Sequence, residues 1–327
     1  MKISVVGCGS MGKNHARVLK SLGVLDYIIE SSQETKKVLC SLGYDESKIV
    51  SSIDDTDSDA YVIATPSSNH VETALNLTQR KKHILIEKPA APSAKEIQVL
   101  KDESEKFGTT VRVGHIEQFN PTIRHLKKSI NKNLVNLCQF YRYSPRPHRI
   151  NDTNVWIDIG VHDVDLMISL FGLPKTVNSS SVIDNNGIIV SMHSAFEFFD
   201  DEKNVLCMIN TSWLSASKKR QIHFYLNRDE SNDAKVIHAD LLEQMIEEIK
   251  ETRIVKKPDD HFSPNIIDST TITRLTKEEP LLLEIQAFIS SLQGNADEGT
   301  TLNDALNVAK VLEASLESLQ QKKTIKI

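Results

Sequence analysis

Lys2-Ile3-Ser4-Val5-Val6-Gly7-Cys8-Gly9-Ser10-Met11-Gly12 is the stretch that decides the architecture. Lys2–Val6 is apolar and β-branched, as a buried strand requires. Three glycines in the pattern Gly-x-Gly-x-x-Gly follow it. Met11, His15, Val18 and Leu22 then recur at helical spacing until Gly23 ends the run. The three glycines differ in what they allow. Gly7 permits a tight turn, Gly9 lets the backbone approach a pyrophosphate, and Gly12 packs the helix against the strand. The helix start offers N–H groups and the positive end of its dipole to phosphates.

Alone, such a motif is weak, because glycine-rich turns are common. Here a strand precedes it, a helix follows, and Glu30 stands 18 positions beyond Gly12, just after the second apolar run. A carboxylate at that spacing accepts the hydroxyl hydrogens of a ribose and repels a 2′-phosphate. Ser31-Ser32-Gln33 brings no arginine, so the expected cofactor is NAD rather than NADP. Gly7, Gly9, Ser10, Met11, Gly12 and Glu30 are its expected contacts. The plainer alternative for Glu30 is a solvated surface glutamate.

Working outward, strand and helix patterns alternate through residues 1–118. Strands are expected at Tyr27–Ile29, Lys48–Ser51, Ala60–Ala64, His83–Ile86 and Thr110–Val113, with helices at Asn69–Arg80 and Ser93–Phe107. That alternation implies a parallel, doubly wound sheet. After Asn120-Pro121 the pattern changes. A helix over Pro121–Ser129, a strand over Leu134–Tyr143 and a helix over Val155–Phe171 precede strands at Val177–Ile183, Ile188–Phe199, Val205–Trp213 and Gln221–Leu226. Ala239–Ile249 is ambiguous and leans to strand, and helices near Glu279–Leu292 and Leu302–Leu319 follow. The class is α/β: a Rossmann domain over 1–118, then an α+β domain over 119–327 with a large, mostly antiparallel open sheet for substrate binding and oligomerisation.

A chain of 327 residues suits about two domains, and 39% hydrophobic with 25% charged residues is the balance of an ordinary globular protein. A formal charge of -5 argues against a nucleic-acid partner. No apolar run reaches the roughly 18 residues of a membrane span, and the N-terminus lacks the apolar core of a signal peptide. Cys8, Cys40, Cys138 and Cys207 are too dispersed for a zinc site or a disulfide framework. A cytoplasmic enzyme without a metal is expected.

In open parallel sheets, ligands lie beyond the carboxyl ends of the strands. Thr65-Pro66-Ser67-Ser68-Asn69-His70 and Glu87-Lys88-Pro89 stand at two such ends, which adds Thr65, Pro66, His70, Glu87 and Lys88 to the expected cofactor contacts. Lys88, between a buried strand and a proline, has little freedom, which suits proton transfer. Its bland reading is a strand-end lysine in a surface ion pair. Farther on, Asp158 and His162 are i and i+4 in Asp158-Ile-Gly-Val-His162-Asp163-Val-Asp165 and share a helix face. A carboxylate there can orient an imidazole for proton transfer. A structural pair, a helix cap and a metal site are the rivals, the last lacking a third ligand at tight spacing.

Gly7-x-Gly9-x-x-Gly12, Glu87-Lys88-Pro89 and Asp158-x-x-x-His162, in this order, resemble the glucose–fructose oxidoreductase / inositol dehydrogenase (Gfo/Idh/MocA) family over nearly the whole chain. The resemblance implies that Lys88 and His162 are the acid/base groups beside the nicotinamide and that Asp158 orients them. A narrower set looks like the branch that oxidises UDP-N-acetylhexosamines at C3: Gly114-His115-Ile116-Glu117-Gln118-Phe119-Asn120-Pro121, Arg149 ahead of Asp158, and Trp213-Leu214-Ser215 before Lys219-Arg220. It implies His115, Asn120, Arg149, Asp158 and His162 as substrate contacts. Gln118 departs from it where that branch usually has arginine, and Asn154 where it often has glycine.

Arg142, Arg146, His148 and Arg149 crowd a segment stiffened by Pro145 and Pro147, which suits the pyrophosphate of a sugar nucleotide. A solvated basic loop explains them equally, and a helix cap explains Asn120. The expected reaction is NAD-dependent oxidation of a secondary sugar hydroxyl, with UDP-N-acetylglucosamine or a relative as substrate. Alternatives are an inositol or free-sugar dehydrogenase on the same scaffold and a non-catalytic dinucleotide-binding regulator, which would lose the lysine and histidine that this chain keeps. The outward sheet face is expected to be covered by a second subunit in a homodimer or homotetramer.

Overall fold

A computed structural model describes residues 1–147, 153–199, 204–227, 235–252, 267–295 and 298–327, which form two compact units. The first takes in Met1–Phe119 and Glu279–Ala309. Its N-terminal part runs β1 (Ile3–Val6), α1 (Ser10–Ser21), β2 (Leu25–Ile29), α2 (Gln33–Ser41), β3 (Ile49–Val50), β4 (Ala60–Ile63), α3 (His70–Gln79), β5 (His83–Glu87), α4 (Ala94–Phe107) and β6 (Val111–Gly114). All six strands are parallel, in the order β6-β5-β4-β1-β2-β3. The chain turns back on itself at β1, so the cleft beyond the ends of β1 and β4 is the topological switch point. Every residue of β1 and β4 is buried, as their largely apolar runs require, and the one hydroxyl of β1, Ser4, is hydrogen-bonded to Ser58.

The sequence pattern gives no counterpart to α2. Leu39 is its one buried residue, so the apolar stripe that signals a helix is nearly absent. Its start is set locally instead, by Ser32, whose side chain accepts the Thr35 N–H.

The second unit comprises Asn120–Glu278 and Lys310–Ile327. It contains α5 (Pro121–Ser129), β7 (Val135–Pro145), a π-helical turn at Trp156–Gly160 leading into α6 (Val161–Phe171), and the strands β8 (Thr176–Ile183), β9 (Ile189–Phe199), β10 (Asn204–Ser212), β11 (Leu214–Leu226), β12 (Lys235–Asp240), β13 (Met245–Thr252) and β14 (Ile267–Arg274). The ambiguous Ala239–Ile249 segment is mostly strand, as it leans: it joins the end of β12 to β13 through a four-residue turn at 241–244, where Gln244 takes φ 51°. β14 is not visible in the sequence because its Asp-Ser-Thr-Thr run has no apolar alternation.

The C-terminal part supplies α7 (Pro280–Leu292), β15 (Thr300–Thr301), α8 (Leu302–Gln321) and β16 (Ile325–Lys326). A linear division at residue 118 omits what this part does. Leu281, Ile285 and Phe288 of α7 join Val5, Leu19, Ile28 and Leu39 in the core on one face of the first sheet. Leu302, Ala305 and Leu306 join Ile63, Leu77, Ile86 and Leu100 on the other. β15 pairs antiparallel with β6 and completes a seven-stranded sheet. In the second unit β16 pairs with β8 and closes a nine-stranded sheet ordered β14-β13-β12-β11-β7-β10-β9-β8-β16, antiparallel except at β7–β10. Among the described residues, no helix is long and apolar enough to cross a membrane.

Alternation along the nine-stranded sheet buries Phe140, Phe196, Ile209 and Phe224 on one side. Tyr141, Tyr143, His223 and His238 stand on the other, half-buried among themselves, with the two imidazoles 4.1 Å apart between centroids. Burial, then the neighbouring His238 and Lys219, lowers the His223 pKa from 6.5 to about 4, while Glu247 pulls it the other way. Between those values the unfolded ring takes up a proton and the folded ring does not. Stability is therefore expected to fall as pH drops through that window, and to stop falling on this account below it. His223→Gln should flatten that limb of the profile. Thermal midpoints of both proteins at roughly pH 7.5 and 4.5 check it, and parallel profiles would remove His223 from the account.

Candidate functional site

The glycine turn between β1 and α1 separates into two structural glycines and one that the protein's own packing does not need. Gly7 has φ +84°, and a Cβ there would lie 2.8 Å from Thr65 Cγ2; a Cβ on Gly12 would lie 2.0 Å from the Gly7 carbonyl oxygen. A Cβ on Gly9 would meet nothing within 4 Å. The space over Gly9 is what a bound pyrophosphate uses. No side chain caps α1, so its first N–H groups, at Ser10 and Met11, suit an anion.

A cavity of about 700 Å³ opens at this turn, and Gly7, Gly9, Glu30, Thr65 and Pro66 all line it. Sequence reasoning missed Cys8, Ser31, Ser51, Asp54 and Arg80, which line it too. Arg80 is ion-paired with Asp54. These two stand after α3 and after the two-residue β3, and no local motif marks them; only the strand order places them at the same cavity. The Cys8 thiol is pushed up to about 12, by burial first and then by the Glu30 carboxylate, so it is inert beside the phosphate turn.

Glu30 is fixed by two backbone donors: Cys8 N–H to Oε2 at 2.9 Å and Ser32 N–H to Oε1 at 2.8 Å. Each oxygen keeps a further lone pair, which a ribose hydroxyl can use. Glu30→Ala is expected to weaken NAD about tenfold and to raise the NADP/NAD ratio of kcat/KM, because it removes both the acceptor and the repelling charge. An unchanged ratio would count against the ribose assignment.

The other expected cofactor residues do not line this cavity. His70 and Glu87 are buried, and Lys88 is half-buried at the carboxyl end of β5. His70 turns both ring nitrogens to backbone carbonyls, Nε2 to Thr65 and Nδ1 to Pro89, each at 2.8 Å. Glu87 Oε1 lies 2.6 Å from His15 Nε2, and its Oε2 accepts the Lys88 N–H. Burial raises the Glu87 pKa, but the His15 hydrogen bond and the Lys88 charge outweigh it, and the carboxyl stays below its ordinary value.

In the second unit the Asp158–His162 spacing does not fall on an uninterrupted α-helix. Asp158 sits in the π-helical turn and His162 in α6, both half-buried. Gly160 permits that turn, since a Cβ there would stand 2.7 Å from the Trp156 ring, which stacks on Phe196. Asn154 caps the segment, accepting the N–H groups of Trp156 and Ile157.

The basic cluster disperses. Arg142 is buried in β7 and paired with Asp163 of α6 through Nη2 at 2.8 Å and Nε at 2.9 Å. Arg146 pairs with Asp184 and lies over the Trp213 ring. His148 and Arg149 lie outside the described residues. Asn120 is the cap of α5, its Oδ1 accepting Thr122 N–H and its Nδ2 donating to the Leu241 carbonyl. His115, in the first unit, is buried just after β6. Among the described residues, no group of three or more His, Cys, Asp and Glu side chains is arranged to hold a metal.

Residues 1–115 match the family described as "Oxidoreductase family, NAD-binding Rossmann fold". Inositol 2-dehydrogenase 2 of Saccharopolyspora erythraea is 27% identical over 53% of this chain and 54% of its own length. UDP-N-acetylglucosamine 3-dehydrogenase of Acidithiobacillus ferrooxidans is 27% identical over 53% of this chain and 55% of its own length. This chain thus spans about half the length of each of these two relatives. The solved structure of the latter enzyme superposes with a TM-score of 0.84 at 20% identity, over 98% of both chains, a likeness of fold. With the glycine turn, its open cradle and the Glu30 acceptor in place, residues 1–115 are an NAD-binding Rossmann domain of the oxidoreductase family whose model they match.

Proposed function

We propose that the chain is an NAD-dependent dehydrogenase that oxidises a secondary hydroxyl of a sugar, C3 of UDP-N-acetylglucosamine or a close relative. The observation that carries the reading is one unit that holds both the cavity built on Gly9 and Glu30 and, at the carboxyl end of β5, Lys88. A relative named UDP-N-acetylglucosamine 3-dehydrogenase supports the substrate.

When bound, NAD supplies the hydride acceptor at nicotinamide C4. The carbinol C–H does not give up its hydride until the hydroxyl proton has somewhere to go. Lys88 Nζ or the His162 ring accepts that proton, and Asp158 orients the histidine. The glycine turn and Glu30 fix the dinucleotide at its phosphates and ribose, which holds the reacting carbon in place. The homo-oligomer belongs to the same proposal, with the Tyr141, Tyr143, His223 and His238 face as the surface a second copy covers.

A second reading, oxidation of an inositol or a free sugar, is favoured by the fate of the basic residues. Arg142 and Arg146 are both engaged by carboxylates of their own unit, which reduces the cationic groups left for a sugar-nucleotide pyrophosphate. A relative named inositol 2-dehydrogenase supports it too. NADH formation with UDP-N-acetylglucosamine, free N-acetylglucosamine and myo-inositol in parallel separates the two. Turnover confined to the nucleotide sugar supports the first reading. Turnover with inositol or the free sugar keeps the dehydrogenase and discards the nucleotide. No turnover with any of them removes both.

A further inference from the structure

Two fully enclosed histidines grip the segment that carries Lys88, one on each side. His15, on the buried face of α1, has no exposed surface and sets Nε2 against Glu87 Oε1 at 2.6 Å. The other oxygen of that carboxylate accepts the backbone N–H of Lys88 at 3.2 Å. His70, the first residue of α3 and 1% exposed, reaches the Pro89 carbonyl with Nδ1 and the Thr65 carbonyl with Nε2. The residue before the lysine, its own N–H and the residue after it are thus tied to two different helices.

The chemistry of the two rings differs. The enclosed Nδ1 of His15 has no hydrogen-bond partner, and a bare lone pair is cheaper to leave there than an N–H. His15 is therefore read as the Nε2–H tautomer donating to Glu87. The two carbonyls that face His70 only accept, so its ring donates to whichever of Thr65 and Pro89 faces the nitrogen that carries the hydrogen. Neither imidazole lines the dinucleotide cavity. Burying two imidazoles and a carboxylate has a desolvation cost that plain helix packing does not call for.

We propose that His15 and His70 are positioning residues for Lys88, fixing the backbone on both sides of the lysine and so the place of its Nζ. The proposal rests on the reading of Lys88 as a base in the dehydrogenase reaction. A group misplaced by about 1 Å can lose roughly 10²-fold in rate while binding is kept.

The test uses the full chain with His15→Leu, which fills similar space without a donor, and His15→Gln, which keeps an N–H near the place of Nε2. His70→Leu and His70→Gln form a second pair. For each, kcat and KM are measured on the substrate that the wild type turns over, with NAD affinity by fluorescence titration and the thermal midpoint alongside. The leucine variants are expected to lose about 10- to 100-fold in kcat, with NAD affinity within about threefold, and His15→Gln to recover most of the loss. Amide exchange across residues 84–92 should rise in the leucine variants. Leucine variants that are folded and turn over within about twofold of wild type would overturn the proposal, as would activity that follows the thermal midpoint whether or not a donor is kept. If His15→Leu does not fold, the His70 pair carries the same comparison. Lys88→Ala at the wild-type rate would overturn the Lys88 reading and this proposal with it. A slow Lys88→Ala beside fast leucine variants would overturn this proposal alone.

Discussion

Lys88→Ala lowers turnover by about 10²-fold or more while NAD affinity stays within about threefold, the separation expected when a proton-transfer group is removed and the dinucleotide cavity is left intact. Three features support that separation. Lys88 does not line the cavity that holds Glu30 and the glycine turn. Its backbone continues from Ile84, Leu85 and Ile86, which are essentially inaccessible, so truncating the side chain beyond Cβ leaves β5 in place. The Glu87 carboxylate is already met by His15 and by the Lys88 N–H, so loss of the ammonium does not leave it unpartnered. Steady-state kinetics with NADH fluorescence titration checks the outcome, and Lys88→Met, which keeps the aliphatic stem, controls for packing. Turnover near wild type in both would take Lys88 out of the reaction and leave His162 as the base to test.

Much of the first unit is legible in the sequence because its strands are buried on both faces and its turns carry glycine, proline or serine where the backbone demands them. The Gly7–Gly12 turn and the Ser93 cap of α4 are local physics, readable residue by residue. What cannot be read is what depends on partners distant in sequence. Glu279–Ala309 shows as two amphipathic segments, but nothing local says that Phe288 and Leu306 complete the two faces of the first sheet. Asp54 and Arg80 reach the cavity only through strand order.

The candidate site divides the same way. Gly9 and Glu30 are readable because the ligand dictates their spacing. His15 looks like one more position of an amphipathic helix, and only Glu87, 72 residues on, shows why an imidazole stands there. The Asp158–His162 spacing misleads in detail, since the helical period it assumes is broken at Gly160, where a small residue lets the Trp156 ring sit against the turn.

Asp163→Ala should produce the largest loss of stability, about 3–5 kcal/mol of unfolding free energy, because it leaves the Arg142 guanidinium charged and enclosed without its carboxylate. Both side chains are under 5% exposed, and Nε and Nη2 of the arginine meet the same Oδ1. Replacing both partners together, as Arg142→Met with Asp163→Leu, is expected to recover most of that loss, since two apolar groups of similar size avoid the desolvation that the ion pair must offset. Urea unfolding of the single and double variants makes the comparison. The pair ties α6, which carries His162, to β7, so it also separates anchorage from chemistry inside the Asp158-x-x-x-His162-Asp163 motif. If Asp163 only anchors the helix, the double variant regains turnover along with stability. A double variant that is stable but inactive would mean that the carboxylate acts on the reaction through its neighbour His162, and that the motif has one more chemical member than its Asp158 and His162 suggest.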